Sequence, residues 1–363
     1  MTAGSGDRPP WFARRHGNGW TTTPAPAAVL SFHAGLPGYV PTPLTALPAV
    51  AAELGVGQVL VKDESARLGL PAFKVLGVSW AVHQVLAAHR PAGASLCLVT
   101  ATDGNHGRAV ARVAGEFGQQ ALVFVPDGVT AAAIAAIEAE GAQVTRVAGN
   151  YDDAVRLAVE AAAGPDAVLV QDIGWPGYEE IPGWIVEGYS TLFAEIDAQL
   201  HESGTDPAGL VVVPAGVGSL TQAAITRYRR PGAPPTALMT VEPDTAACVL
   251  ASLHQGEPVS IPSGPTIMTG LNCGTPSHLA WPYLRDGLDA AVAVPDAACR
   301  AALAELAAAG VLAGPCGAAA LAAVRATLSG EGCEAHRAAL GIGPQTTIVL
   351  LCTEGATANP LPD

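Results

Sequence analysis

The chain has 363 residues, half of them hydrophobic and only 14% charged, with a formal net charge of −14. That much apolar material can fill a large buried core, and the length points to two domains. An acidic surface argues against nucleic acid or an anionic membrane as a partner, although backbone amides can still hold an anionic cofactor.

Residues 1–25 are rich in Gly, Pro, Arg and Thr and lack periodicity, which predicts a flexible or loosely draped arm. Residues 61–65, Val-Lys-Asp-Glu-Ser, end a strand in a polar turn and place Lys74 at the start of a helix. Residues 96–100 read as a buried strand. Residues 106–117 follow as a helix, with Ala109, Val110, Val113, Ala114 and Phe117 at helical spacing. The next strand is 121–126. Thr130 caps a helix over 131–140, and Gly141 stands where a left-handed C-terminal cap belongs. A strand at 144–147, a helix at 151–163 and a strand at 168–172 complete a β-α-β-α-β series with short connections. That pattern means a parallel sheet with right-handed crossovers. The second half repeats the style, with strands at 210–214, 238–242 and 347–353. Two α/β units leave a cleft between them, and open α/β sheets bind ligands at the carboxyl ends of their strands.

Seven cysteines without a CxxC or a regular spacing read as reduced thiols in a cytoplasmic protein. The first ten residues lack the apolar core of a signal peptide, and no breaker-free run of about 18 apolar residues predicts a membrane span. Dispersed histidines without an HExxH-type pair predict no metal site.

Four segments can carry chemistry. Lys74 sits among apolar neighbours in Pro-Ala-Phe-Lys-Val-Leu-Gly. Burial would lower its pKa and free the amine for Schiff-base chemistry, whereas a lysine snorkelling from an amphipathic helix would look the same. Asp103, Gly104, Asn105, His106 and Gly107 lie between a strand and a helix, where they fit either a ligand-facing loop or an N-cap turn. Gly216, Val217, Gly218 and Ser219 follow a strand and open a helix, as a phosphate cradle does. The third glycine of the dinucleotide fingerprint is missing, which argues against a nicotinamide enzyme. Cys352 and Thr353 end the last strand with small polar groups able to meet a pyridine nitrogen, or simply to end a strand.

Taken in this order, the segments resemble the fold-type-II pyridoxal-phosphate (PLP) enzymes, the tryptophan synthase β and threonine dehydratase superfamily. Among these the chain is most similar to the diaminopropionate ammonia-lyase family. The resemblance runs over most of the length, through residues 38–44, 62–65, 72–74, 102–108, 150–153, 171–172, 177–178, 215–218, 241–244, 266–268 and 353–355. Gly270-Leu271 and Cys273-Gly274 also fit. Asp103 is its most telling mark, because related dehydratases carry a small residue there. The resemblance implies an α/β fold of two open twisted parallel-sheet domains with the cofactor in the cleft between them. The large PLP-binding domain would span 26–82 and 201–363, and the small one 83–200. Lys74 would carry pyridoxal 5'-phosphate as a Schiff base and act as a base at Cα. Asp103 would exchange protons with the substrate, and Asp172 would help hold its amino group. Asn105 would contact the cofactor's 3′ oxygen, Gly216 to Ser219 its phosphate, and Thr353 its ring nitrogen, with Cys352 as the other candidate.

The implied activity is α,β-elimination from a small amino acid such as 2,3-diaminopropionate, in a homodimer by analogy. A serine/threonine dehydratase, a β-replacement synthase and a non-catalytic PLP-binding paralogue are the alternatives. Some positions depart from the family pattern. Pro176 replaces a Glu, Pro315-Cys316 a Glu-Ser, Ala356 an Asp and Val78 a Gly. These changes bear on substrate identity more than on cofactor use.

Overall fold

The computed structural model describes residues 10–14, 19–89, 95–102 and 104–360. Strands occur in chain order as β1 (Trp11–Ala13), β2 (Leu44–Ala46), β3 (Gln58–Asp63), β4 (Cys97–Ala101), β5 (Gln120–Val125), β6 (Gln143–Arg146), β7 (Ala167–Leu169), β8 (Leu210–Pro214), β9 (Ala237–Pro243), β10 (Ala290–Val294) and β11 (Thr347–Cys352). They form two sheets, one ordered β1-β10-β9-β8-β11-β3-β2 and the other β6-β5-β4-β7. The smaller sheet is parallel throughout. The larger is parallel from β10 to β3, and its two edge strands run antiparallel. This is the α/β architecture expected from the sequence.

Every residue of β8, β9, β10 and β11 is buried. Their side chains alternate between two apolar layers, as the two-residue strand repeat requires. Val211, Val213, Val349 and Leu351 enter one layer; Leu210, Val212, Ile348 and Leu350 enter the other. The first layer continues through the helices Lys74–His89, Asn105–Glu116 and Glu180–Glu202 to Leu98, Val123 and Val125 of the small sheet. A further apolar cluster, including Val99 and Phe124, covers that sheet's opposite face.

The chain passes to the small sheet along the helix Lys74–His89 and returns along Glu180–Glu202. These two helices touch backbone to backbone at glycines. A Cβ on Gly188 would lie 2.5 Å from the Leu76 carbonyl oxygen, and one on Gly77 would lie 2.5 Å from the Tyr189 ring. Beneath them lies a buried ionic network. Glu195 accepts from Lys62 at 2.6 Å and from Arg67 at 2.7 Å, and Arg67 also pairs with Glu64 at 2.6 Å. It anchors the turn between β3 and Lys74.

Two expectations are corrected. Part of the stretch read as a flexible arm is a strand: β1 pairs with β10, while Trp11 packs on His336 and Phe12 on His254. The strand expected at 168–172 ends at Leu169. Val170 still donates to the Val99 carbonyl, but the Gln171 amide turns to the Tyr178 hydroxyl at 2.9 Å. Asp172 thereby leaves the sheet.

Candidate active site

Lys74 opens its helix at the carboxyl end of the large sheet, and Asp172 follows β7 of the small one. Ninety-eight residues apart, they meet as an ion pair between the Lys74 ammonium and Asp172 Oδ2. Burial by itself opposes both charges, and the pairing outweighs it. The lysine is held well above its ordinary range and the carboxyl well below its own. The Tyr189 ring packs against Phe73 with centroids 4.8 Å apart. The tyrosine is fully buried, with its hydroxyl near the Lys74 ammonium. Burial raises that phenol, and the nearby Lys74 charge opposes the rise.

The glycine loop stands beside this pair. β8 runs into Ala215 to Gly218, and Ser219 begins the helix Ser219–Tyr228, whose first-turn amides have no intrahelical acceptor. Gly218 has φ +96°, and a Cβ there would lie 2.8 Å from Leu284. Glycine is needed on both counts. A Cβ on Gly216 would lie 2.9 Å from Cys273 Sγ, so the loop is packed from behind. The Ser219 hydroxyl donates to the Asp172 carbonyl at 2.8 Å, and Ser277 N–H donates to the Val217 carbonyl at 2.8 Å. Loop and carboxylate are thus held together.

On the other side, the Phe73 amide donates to the Thr353 carbonyl at 3.3 Å, and Ala72 bridges Glu354. This sets the end of β11 against the lysine segment. Thr353 is 4% exposed, and its hydroxyl has no partner among the described residues. The Cys352 thiol instead donates to the Glu354 carbonyl at 3.3 Å and packs in the second apolar layer. Asn105 donates from Nδ2 to Glu354 Oε2 at 2.6 Å, while Glu354 Oε1 accepts from the Cys316 amide at 3.1 Å. Burial raises the Glu354 carboxyl, and these donors oppose the rise. Asp103 lies outside the described residues.

Lys74, Asp172 and Ser219 therefore converge, with Thr353 and Asn105 joined to them through Phe73 and Glu354. The arrangement fits a phosphorylated pyridine aldehyde. It offers a half-buried amine, a glycine loop on a helix N-terminus for the phosphate, and an unsatisfied buried hydroxyl for a ring atom. Of the departures, Pro176 is exposed in the Trp175 to Tyr178 turn, Val78 is buried in the Lys74 helix, and Cys316 backs Glu354. Sequence reasoning did not single out Tyr189, His106 or Glu354. Glu354 and His106 stood inside quoted motifs, but nothing in the pattern marked Tyr189.

The sequence profile of the family described as "Pyridoxal-phosphate dependent enzyme" matches residues 36–353. Diaminopropionate ammonia-lyase of Salmonella typhimurium (strain LT2) is 39% identical over 292 residues, which cover 74% of this chain and 72% of that one. Escherichia coli diaminopropionate ammonia-lyase, solved with an aminoacrylate-PLP azomethine reaction intermediate, superposes with a TM-score of 0.86 at 32% identity, covering 96% of this chain and 94% of the other. The same enzyme solved with D-serine gives 0.86 at 31% identity, with the same coverage of both chains.

Proposed function

The chain belongs to the pyridoxal-phosphate dependent enzymes and, within them, to the diaminopropionate ammonia-lyase family, and from that premise we propose that it eliminates ammonia from 2,3-diaminopropionate or a closely related β-substituted amino acid. The products are a 2-oxo acid and ammonia. The observation that carries this reading is the Lys74–Asp172 pair standing between a glycine loop and the unpartnered Thr353 hydroxyl.

Bound pyridoxal phosphate supplies an electron-accepting ring that stabilises negative charge at the substrate's Cα. Lys74 would hold the cofactor through its amine and would serve as a base at the substrate's Cα. Asp172, ionised beside Lys74, holds the substrate's amino group and takes up or returns its proton. Backbone amides of Gly216, Val217 and Gly218, with Ser219, bind the phosphate. Asn105, held by Glu354, would contact the ring's 3′ oxygen. Thr353 would offer the ring nitrogen a neutral hydroxyl, which would leave the ring holding less charge and favour loss of the β substituent. Asp103 would act as a second base, the one that handles the other stereoisomer.

The substrate lies between a large PLP-binding domain, 26–82 and 201–363, and a small domain, 83–200. We assign the protein to the cytoplasm as a homodimer. Seven scattered cysteines without a CxxC motif support a reducing compartment.

The test is a panel of D- and L-diaminopropionate, D- and L-serine and L-threonine, scored for ammonia and oxo acid. Elimination from diaminopropionate followed by hydrolysis releases two ammonia per oxo acid, whereas a dehydratase releases one. Turnover of serine or threonine alone would reassign the protein as a dehydratase. A yellow protein inert toward the whole panel would be a binding paralogue.

A further inference from the structure

One buried ring nitrogen faces Asp172 without a partner. His106 lies in the first turn of the helix Asn105–Glu116 and is 5% exposed. Its Nε2 is 2.8 Å from the Val170 carbonyl, which can only accept, so Nε2 carries the proton. Nδ1 is then a bare lone pair in a neutral ring. It has no hydrogen-bond partner among the described residues and lies 3.8 Å from Asp172 Oδ2. Burial, together with the Lys74 charge, disfavours the imidazolium that would otherwise close this gap, although Asp172 pulls the other way. The other titratable groups acting on Lys74 are the Tyr189 phenol and the Cys273 thiol, and neither supplies a proton donor to Nδ1.

Two acceptors facing each other are tolerable while the Lys74 ammonium satisfies Asp172. Once Lys74 or the substrate's ammonium gives its proton to Asp172, the geometry changes meaning. An N–H bond breaks and its electron pair stays on nitrogen, an O–H bond forms on Asp172, and no electron is gained or lost. The new carboxyl proton needs an acceptor, and His106 Nδ1 is already aimed at it.

We propose that His106 is a positioning residue whose Nδ1 receives the hydrogen bond of Asp172 whenever that carboxyl holds a proton during turnover. This rests on the placement of Lys74 and Asp172 at the reacting centre in the proposed function. It makes His106 the feature that lets the carboxyl paired with Lys74 in this structure work as an acid and a base during turnover.

Two substitutions in the cofactor-loaded protein separate the two ends of the ring. His106→Asn keeps an acceptor near Nδ1 and loses the donor to Val170. His106→Gln keeps a donor near Nε2 and loses the acceptor. The Gln variant should lose about 10²-fold in kcat, the typical worth of a positioned acid or base, and its kcat should shift along the pH axis on the acid side. The Asn variant should stay within about tenfold of the parent. Activity retained by Gln and lost by Asn would reduce His106 to a support for Val170. Equal loss, or no loss, in both variants refutes the acceptor role.

A second readout does not depend on turnover. Nitrogen NMR of histidine-labelled holoprotein should show His106 protonated at Nε2 and bare at Nδ1. Asp172→Asn offers Nδ1 a permanent amide donor and should move the Nδ1 resonance toward that of a hydrogen-bonded acceptor. A proton on Nδ1 in the parent protein, or a resonance unmoved by Asp172→Asn, overturns the proposal. Failure of the proposed function looks different: the visible cofactor band or all eliminations would be missing in the unsubstituted protein.

Discussion

Replacing Thr353 by valine should move cofactor-free stability and cofactor affinity in opposite directions. The side chains are nearly the same shape, so the change removes one hydroxyl and little packing. That hydroxyl is buried and unpartnered, and an unsatisfied buried polar group costs roughly 1–3 kcal/mol. Unfolding entropy of about 2.1 cal/mol/K per residue, taken over 363 residues, converts this to a rise in Tm of about 1–4 °C for the cofactor-free protein. In the loaded protein the same hydroxyl would, on the proposed assignment, bond the ring nitrogen, and one neutral hydrogen bond is worth about 0.5–1.5 kcal/mol. The Kd for pyridoxal phosphate should therefore rise about 2- to 12-fold. Thermal unfolding of the stripped protein and a fluorescence titration with the cofactor measure the two quantities. Cys352→Ala is the control, because its thiol packs in the apolar layer away from the site; it should lower stability and leave affinity unchanged. A Thr353→Val protein that is less stable without cofactor, or binds the cofactor as tightly as before, refutes the assignment of Thr353.

Lys74→Ala should abolish the visible cofactor band and the borohydride-reducible adduct, and mapping of that adduct to Lys62 in the parent protein would move the attachment site. Glu195→Ala should destabilise the protein by about 3–5 kcal/mol in urea unfolding, because it leaves Lys62 and Arg67 with too few partners in a buried network; a loss under about 1 kcal/mol would show that the network relaxes. Burial pushes the Glu242 carboxyl up to about 8 against the pull of the Val249 and Leu250 amides. The folded protein then binds this proton more tightly than the unfolded chain, so its contribution to stability is complete below the ordinary Glu range and is lost as pH rises through about 8. Glu242→Gln should flatten that decline while lowering stability in acid, and an unchanged slope would assign it to another group. Pro315-Cys316 and Ala356 carry fewer polar groups than the family pattern, so diaminopropionate turnover should be modest; elimination from it far faster than from serine would show these departures to be harmless.

The long apolar runs were legible because strands buried on both faces leave few other readings: the stretch 210–214 coincides with β8, and 347–353 overruns β11 by one residue. Edge strand β1 was not legible. Three residues cannot display a period, and β1 exists only because β10 offers an open edge and His254 and His336 offer surfaces for Phe12 and Trp11. The order of the lysine segment, the glycine loop and the polar strand end could be read, but their contacts could not. No local spacing brings Lys74 to Asp172 across 98 residues. Tyr189 looks like any aromatic residue on a half-buried helix until Gly77 lets its ring approach.

The glycine contact between the two helices has a mechanical consequence. The stretch carrying the small sheet leaves the large sheet and rejoins it at one place, where Gly77 and Gly188 leave no room for sliding. Tilting about that joint is opposed by the hydrogen bonds of Ser219 to Asp172 and of Asn105 to Glu354, which tie the loops of the two sheets together. Lys74 is the first residue of one of the two helices and Asp172 lies beyond the end of a small-sheet strand, so a tilt separates that pair. A tilt that opened the site would therefore part Lys74 from Asp172 as well.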